Sequence, residues 1–433
     1  MDLTFLSSQV FHAPVLQQVL LAIASIVIAE VVRDIFHVAG HFWEPLKKHH
    51  MVHHRVYRRD LSVISMDTFK KAQWSHDIPE AFFMLAVCVP LAVVTPGLGM
   101  WVGCLYILAF LIPAFARAQG KMLYTDLTHE AGALTTPPGH WTVNRTYHWR
   151  HHFDDVDAYF CGYLTIVDKI MGKALSLKGK TIAITGASGT LGRALTRELT
   201  RAGAKVIALT SNPNSEFTDA VKVVPWQIGE EAALRDWFES IDILLLNHGV
   251  NDNGDRHFAA VQRAYEVNAF SCLRLAELFL ETVNRSEHKA LKELWVNTSE
   301  AEANPAFSPL YELSKRTLGD LITMRRLDAP CVIRKLILGP FKSSLNPVGI
   351  MSAQSVARGI VFLAKRDFRN IIVTINPLTF ITIPLKEISQ SLYFRLFTKA
   401  TKRSSITTNS TNAGSTEPVT DSVTEREQTH SQV

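Results

Sequence analysis

The sequence is poor in cysteine, with five in 433 residues, and two of these, Cys88 and Cys104, lie inside apolar stretches. That usage excludes a disulfide framework and fits a reducing compartment. Charge of one sign is also missing. With 45 Lys and Arg against 40 Asp and Glu, a formal net charge of +5, the chain carries no nucleic-acid footprint. No charged n-region and no small-residue cleavage site precede Val15, so the first apolar run reads as a retained helix and not as a signal peptide. No internal repeat is present, and the length predicts two or three structural units.

What charge there is avoids three stretches near the N-terminus. Val15 to Val32 is broken only by Gln17, Gln18 and Glu30, Ile78 to Val94 carries only Glu80, and Leu98 to Phe115 carries no charge. Each is about long enough to cross a hydrocarbon core of roughly 30 Å. Thr95-Pro96-Gly97 sets a tight turn between the second and third, which predicts a helical hairpin. Lys47, Lys48, Arg55, Arg58, Arg59, Lys70 and Lys71 fill the short link between the first helix and the hairpin, so that link is expected in the cytoplasm. The expectation is an integral, multi-pass membrane protein whose later residues return to the cytoplasmic side, where the sequon at Asn144 has no use.

Histidine is abundant on that same side. His37 and His41, then His50, His53 and His54, and far downstream His148, His151 and His152 repeat spacings of three and four, which place imidazoles on one helix face. Five of the 17 histidines fall at these spacings between His37 and His54, and eight or more exceed what one ion can accept. A paired metal site is the economical reading, although imidazole alone does not choose the metal. HxxxH, HxxHH and a later HxxHH between apolar segments resemble the fatty acid hydroxylase/sterol desaturase superfamily over residues 15–173, with Tyr159, Gly162, Asp168 and Gly172 at its aromatic, Asp and Gly positions. The resemblance implies a di-iron centre, O2, a lipid substrate, and an electron donor that the sequence leaves unidentified. It adds His129 as a ninth ligand; Thr125 stands where its partner histidine would be, which leaves that place to Asp126, His140 or water.

Beyond Leu177 the texture changes. Thr181-Ile-Ala-Ile184 is a short strand, and Thr185-Gly-Ala-Ser-Gly-Thr-Leu-Gly192 opens into a helix. In that context Gly186 permits the turn, Gly189 the approach of pyrophosphate and Gly192 close packing of helix on strand. The second strand, Lys205 to Thr210, ends without a carboxylate, so a 2′-phosphate is not repelled and NADP(H) is favoured over NAD(H). Further strands are expected at Ile241–Leu246, which runs into Asn247-His-Gly249, at Leu294–Ser299 and at Asn370–Ile375. Tyr311-Glu-Leu-Ser-Lys315 puts a phenol and an ammonium one turn apart on one helix face.

This order resembles the short-chain dehydrogenase/reductase family over residues 178–376. The resemblance assigns catalysis to Asn268, Ser299, Tyr311 and Lys315, and cofactor binding to Thr185, Gly186, Ser188, Gly189, Leu191, Gly192, Asn247, Gly249 and Lys315. Lys315 would help Tyr311 part with its proton while reaching the nicotinamide ribose, Ser299 would bind the substrate oxygen, and Asn268 would hold a relay water.

The expected architecture is an N-terminal all-α membrane domain over 1–173 with a histidine-box metal site, a C-terminal α/β doubly wound parallel sheet (a Rossmann domain) over 178–376, an amphipathic membrane-surface helix within 377–403, and a disordered tail over 404–433. Lys386, Lys399, Lys402 and Arg403 alternate with apolar residues there, and a helix packed on the reductase domain is the alternative reading. Overall the chain is similar to bifunctional sterol desaturase/short-chain dehydrogenase proteins and, more distantly, to plant wax-synthesis proteins. The resemblance implies hydroxylation or desaturation of an acyl, isoprenoid or sterol-like lipid, coupled to NADP(H)-dependent alcohol/carbonyl interconversion. Aldehyde processing of the wax type, or a reductase on a non-catalytic anchor, are the alternatives.

Overall fold

In a computed structural model, residues 14–123, 128–252 and 254–399 are described; the expected tail over 404–433 lies outside them. The chain begins with α1 (Val15–Phe42) and α2 (Glu44–His54), joined at Trp43. Next come α3 (Met66–Ala72), a π turn over Gln73–Asp77, α4 (Ile78–Val94) and α5 (Trp101–Ala118). The stretch over α3 and α4, together with α1 and α5, makes three helices long and apolar enough to cross a membrane. They meet along small residues: a Cβ on Gly103 would lie 2.7 Å from the Ser25 carbonyl, so α1 and α5 approach this closely only because that position is glycine. Ala29, Ala81, Met84, Cys88, Ile107 and Ala114 fill the seam, whereas Val19, Leu20, Ile23, Leu105 and Ile112 face outward. Polar groups inside the bundle are paired: Glu30 accepts from both Arg33 and Tyr106, and Asp34 accepts from the Gly162 amide at 2.9 Å.

The chain then runs through α6 (Arg145–Phe153) and α7 (Ile166–Met171). Asp168 organises this corner by accepting from the Phe160 and Cys161 amides and the Tyr147 hydroxyl, each at 2.9 Å, and Gly172 ends α7 at φ +67°.

The second part alternates strands and helices: β1 (Thr181–Thr185), α8 (Thr190–Arg201), β2 (Lys205–Thr210), β3 (Lys222–Pro225), α9 (Arg235–Ser240), β4 (Ile243–Leu246), α10 (Phe258–Tyr265), α11 (Ser271–Glu281), α12 (His288–Leu291), β5 (Glu293–Asn297), α13 (Pro309–Arg325), β6 (Val332–Leu338), α14 (Ala353–Ala364), β7 (Asn370–Val373) and α15 (Thr379–Phe397). The strands form one sheet in the order β3-β2-β1-β4-β5-β6-β7, every pair parallel. Runs such as Ile243–Leu246 are buried on both faces, as a parallel sheet covered by helices requires.

The two parts belong to one compact unit ending at Thr398. They are joined at the N-terminal edge of the sheet. Arg150 of α6 donates to the Ala290 carbonyl at 2.6 Å and pairs with Glu293, the first residue of β5; Lys180 pairs with Asp154 at 2.6 Å, and Lys169 with Asp367 at 3.6 Å.

On α15, Lys386 points into the protein, 2.8 Å from Glu302, which also pairs with Lys335, and 2.6 Å from Asp320.

Candidate functional site

Two sites are built, one on each part. On the helical part, α1 supplies His37 and His41, α2 supplies His50, His53 and His54, the loop before α6 supplies His129, and α6 supplies His148, His151 and His152. These nine form two groups whose nitrogens lie within 4.8 Å of one another: His37, His41, His50, His54 and His151 in the first, and His53, His129, His148 and His152 in the second. All are buried or half-buried.

In the first group the Nε2 atoms run in a chain, His37 to His151 at 3.0 Å, His151 to His54 at 3.2 Å, His54 to His50 at 2.9 Å and His50 to His41 at 2.8 Å. A ring nitrogen either carries a proton or offers a lone pair, and one proton serves one contact, so hydrogen bonding cannot satisfy all four. A cation can. Metal–nitrogen bonds of about 2.0–2.1 Å put adjacent ligand nitrogens roughly 2.9 Å apart, the spacing observed. In the second group His148 Nε2 lies 2.9 Å from His129 and 3.1 Å from His152. The donor set therefore fits two metal ions.

The rings are kept in the neutral form that binds metal. Burial pushes His50, His53, His54 and His152 well down and His151 to about 3. His151 also donates from Nδ1 to the Ala158 carbonyl at 2.8 Å, which leaves Nε2 free to ligate.

Sequence spacing missed a tenth ring. His76, on the π turn before α4, lies 3.3 Å from His50 Nδ1, and its Nε2 is 3.7 Å from Glu80. The signal available was His76 and Glu80 four apart. Of the groups offered as a partner for His129, Asp126 lies outside the described residues, and His140 is elsewhere, its ring tilted against Trp141. Its backbone is held by Thr165 and its ring faces Asp367 and Arg369, so it cannot reach His129.

The second site lies at the C-terminal edge of the sheet. Gly186 adopts φ +61°, and a Cβ on Gly192 would come within 2.3 Å of the Gly186 carbonyl, so the loop closes onto the start of α8 only with glycine there. Gly189 is looser, its Cβ meeting the same carbonyl at 3.2 Å. Thr185 Oγ1 accepts from the Asn247 amide at 2.9 Å and lies 2.8 Å from His248 Nδ1, locking β1 to the end of β4. Burial lowers His248 to about 3, so it stays neutral. Ser188 and Thr210 share a 2.9 Å hydrogen bond where β2 ends. Leu191 points into the core, so any contact it makes to a nucleotide is through its backbone.

Around the reacting position, Asn268 is fixed three times: Oδ1 accepts from the Val250 amide at 2.8 Å, and Nδ2 donates to the Val250 carbonyl and to Ser314 Oγ, each at 3.0 Å. Gly249 leaves room for it, since a Cβ there would lie 3.1 Å from Asn268 Oδ1. Lys315 Nζ donates to the Asn297 carbonyl at 3.1 Å and sits 6.0 Å from the centre of the Tyr311 ring. Asn297 in turn donates to Asn247 at 2.9 Å. Ser299 Oγ caps the short turn after β5 by accepting from the Ala301 amide at 3.2 Å. Asn297 and Ser314, which brace the lysine and the asparagine, were not singled out by motif.

The histidine groups and this site are thus at opposite ends of β5, with Glu293 touching the first through Arg150 and Asn297 the second through Lys315.

Residues 180–291 match the short chain dehydrogenase family. The monoglucosyldiacylglycerol epimerase of Synechocystis sp. is 57% identical over 398 residues, covering 88% of this chain and 97% of that protein. The chain belongs to the monoglucosyldiacylglycerol epimerase family. The match is too long to be confined to the sheet, so membership in this epimerase family extends to the helical part. Outside the epimerase family, the ketoacyl reductase HetN of Nostoc sp. is 24% identical over 236 residues, 47% of this chain and 82% of its own. Among solved structures, an aldohexose dehydrogenase of Thermoplasma acidophilum has 17% identity and a TM-score of 0.38 over 46% of this chain and 93% of its own. An alcohol dehydrogenase of Thermococcus sibiricus has 16% identity and a TM-score of 0.40 over 46% and 96%.

Proposed function

We propose that this chain is a membrane-embedded glycolipid epimerase, inverting one hydroxyl-bearing carbon in the hexosyl headgroup of a monoglucosyldiacylglycerol. The 57% identity to an epimerase of that lipid, across nearly the whole of both chains, carries the reading. Such a carbon holds no acidic C–H, so inversion without cleavage proceeds through a ketone: the bond to hydrogen breaks on one face and forms again on the other, with no net oxidation. NADP(H), bound along the glycine loop, supplies the hydride acceptor and donor. Thr185, Gly186, Ser188, Gly189 and Gly192 would cradle its phosphates, and Ser188 and Thr210, with no carboxylate beside them, leave room for a 2′-phosphate. Tyr311 exchanges the hydroxyl proton, Lys315 and Asn268 hold the nicotinamide side, and Ser299 binds the sugar oxygen. The test is to give the purified full-length protein monoglucosyldiacylglycerol deuterated at the ring carbinols, with NADP+ or NAD+, and to analyse released hexoses. A hexose epimer that retains deuterium is expected; no epimer with either nucleotide would reject the reading.

A second activity is favoured by the nine histidines. They support a di-iron centre of the hydroxylase/desaturase type acting on a lipid chain, with electrons from a separate donor protein. A pair of iron ions would supply O2 activation there. Five imidazoles would hold one ion and four the other, and the apolar helices would bring the chain of a membrane lipid to them. The basic link around Lys47 to Lys71 supports a cytoplasmic location for both sites. Metal analysis of the purified protein, followed by a search for 18O or for a new double bond in recovered lipid, tests this reading. Protein isolated without metal and unable to bind iron would leave the histidine part as an anchor.

A further inference from the structure

The last described helix turns its polar groups inward and most of its apolar ones outward. The face of α15 turned toward the protein carries one buried apolar residue, Ile383, beside Thr379, Lys386 and Glu387, and each of these three is held by charge or hydrogen bonds. Thr379 donates to Glu300 at 2.8 Å, Glu387 pairs with the buried Lys335 at 2.6 Å, and Lys386 pairs with Glu302 at 2.8 Å. The outward face carries Ile381, Leu385, Ile388, Leu392 and Leu396, flanked by Tyr393 and Phe397, all exposed. Packing is therefore not what these outward apolar residues are for, and rolling the helix to bury them would take Glu387 from Lys335 and Arg326 and Lys386 from Asp320.

The helix also has a direction. Thr379 begins it at the C-terminal edge of the sheet, beside Glu300, which follows the end of β5. Eight residues later Glu387 is 3.2 Å from Arg326, which bonds Asn370 at the start of β7. The helix has by then run down to the N-terminal edge, the edge docked on α6 and α7 of the helical part through Arg150, Lys169 and Lys180. It continues to Phe397, about 15 Å further. In that extension Leu392 is 57% exposed, Leu396 67% and Phe397 73%.

We propose that the C-terminal half of α15 is inserted in the lipid bilayer alongside the three long apolar helices, as a further anchor that ties the short-chain dehydrogenase part to the membrane. The proposal rests on the membrane-spanning reading of those three helices. Its occupant is lipid, because the exposed apolar face is carried past the edge on which the helical part, with its three apolar helices, is docked.

All five native cysteines are buried, so an introduced one is labelled selectively. Nitroxides on Leu392→Cys and Leu396→Cys in the full-length protein, reconstituted in nanodiscs of phosphatidylcholine and phosphatidylglycerol, report collisions with O2 against a water-soluble nickel chelate. The O2-to-nickel ratio is expected about tenfold above that of Arg358→Cys on α14, and close to that of Ile112→Cys on α5. Water-like values at 392 and 396 with a lipid-like value at 112 overturn the proposal alone, and water-like values at all three overturn the membrane reading with it. Spin–spin broadening that vanishes on dilution with unlabelled protein would assign the face to a second copy and also overturn it.

Discussion

Arg150 Nη2 lies 3.1 Å from Glu293 Oε1, with both side chains buried. The contact joins the helix bearing His151 and His152 to the first residue of the strand that ends at Asn297. Glu293 is also held by Arg334 at 2.7 and 2.9 Å and by the Trp295 indole at 2.9 Å, so one carboxylate serves the histidine helix, a strand neighbour and the core.

Burial alone would raise Glu293, but the guanidiniums of Arg334 and Arg150 override it and hold the carboxyl down at about 2. A carboxylate depressed in the folded state contributes stability that is complete above its unfolded value, near 4.3, and is lost as pH falls through the folded one. Denaturation in detergent should therefore steepen as pH drops from about 4.5 toward 2. Glu293→Gln should cost about 3 kcal/mol at pH 7 and flatten that acid limb, since it leaves the buried Arg150 without its anion and Arg334 with Asp367 alone. An unchanged acid limb in the variant would assign the acid sensitivity to other carboxylates.

Because the two sites flank β5, its five residues set them at least about 13 Å apart. Tyr311→Phe should abolish epimer formation, by about a hundredfold or more, and leave metal stoichiometry untouched; His151→Ala should lower bound metal and leave nucleotide affinity within about twofold. Metal analysis and nucleotide fluorescence titration on both variants check this. Coupled losses would mean that the sites communicate.

What the sequence disclosed and what it hid have physical causes. The histidine sets were legible because helical periodicity puts residues three and four apart on one face, and the glycine loop because Gly186 and Gly192 answer to backbone contacts within a few residues. His76 was hidden because a π turn inserts an extra residue and breaks that periodicity, so only the packing of that turn against α2 brings it to His50. The opposed facing of the two sites depends on which edge of the sheet the helices dock against. That is decided by pairs such as Arg150 with Glu293, which are 143 residues apart. The inward facing of Lys386 was hidden for the same reason, since its partner Glu302 is 84 residues away.

His76 makes its own prediction. With His50 ligating through Nε2, its Nδ1 faces His76 at 3.3 Å, a position that orients the ring without touching the metal. His76→Ala should weaken metal binding at the five-histidine group by about 10- to 100-fold and leave the four-histidine group filled. Stoichiometry in a graded chelator series, read with the metal's electron paramagnetic resonance, separates the two groups. Equal loss from both would reduce His76 to a general packing role.

The proposed preference for NADP(H) can be reversed in principle by placing at the end of β2 the carboxylate that it lacks. Ser211 is exposed just past Thr210, whose hydroxyl already meets Ser188 at the loop. A carboxylate at this position would hydrogen-bond a ribose 2′-hydroxyl and repel a 2′-phosphate. Ser211→Asp should raise the Kd for NADP(H) by about tenfold or more while that for NAD(H) holds or falls, because one unit of like charge a few ångströms away at a protein surface is worth on the order of 1–2 kcal/mol. Calorimetric titration of both nucleotides into the full-length variant decides it. If both affinities stay unchanged, the 2′ position is not at the end of β2 and the preference for NADP(H) has lost its structural basis.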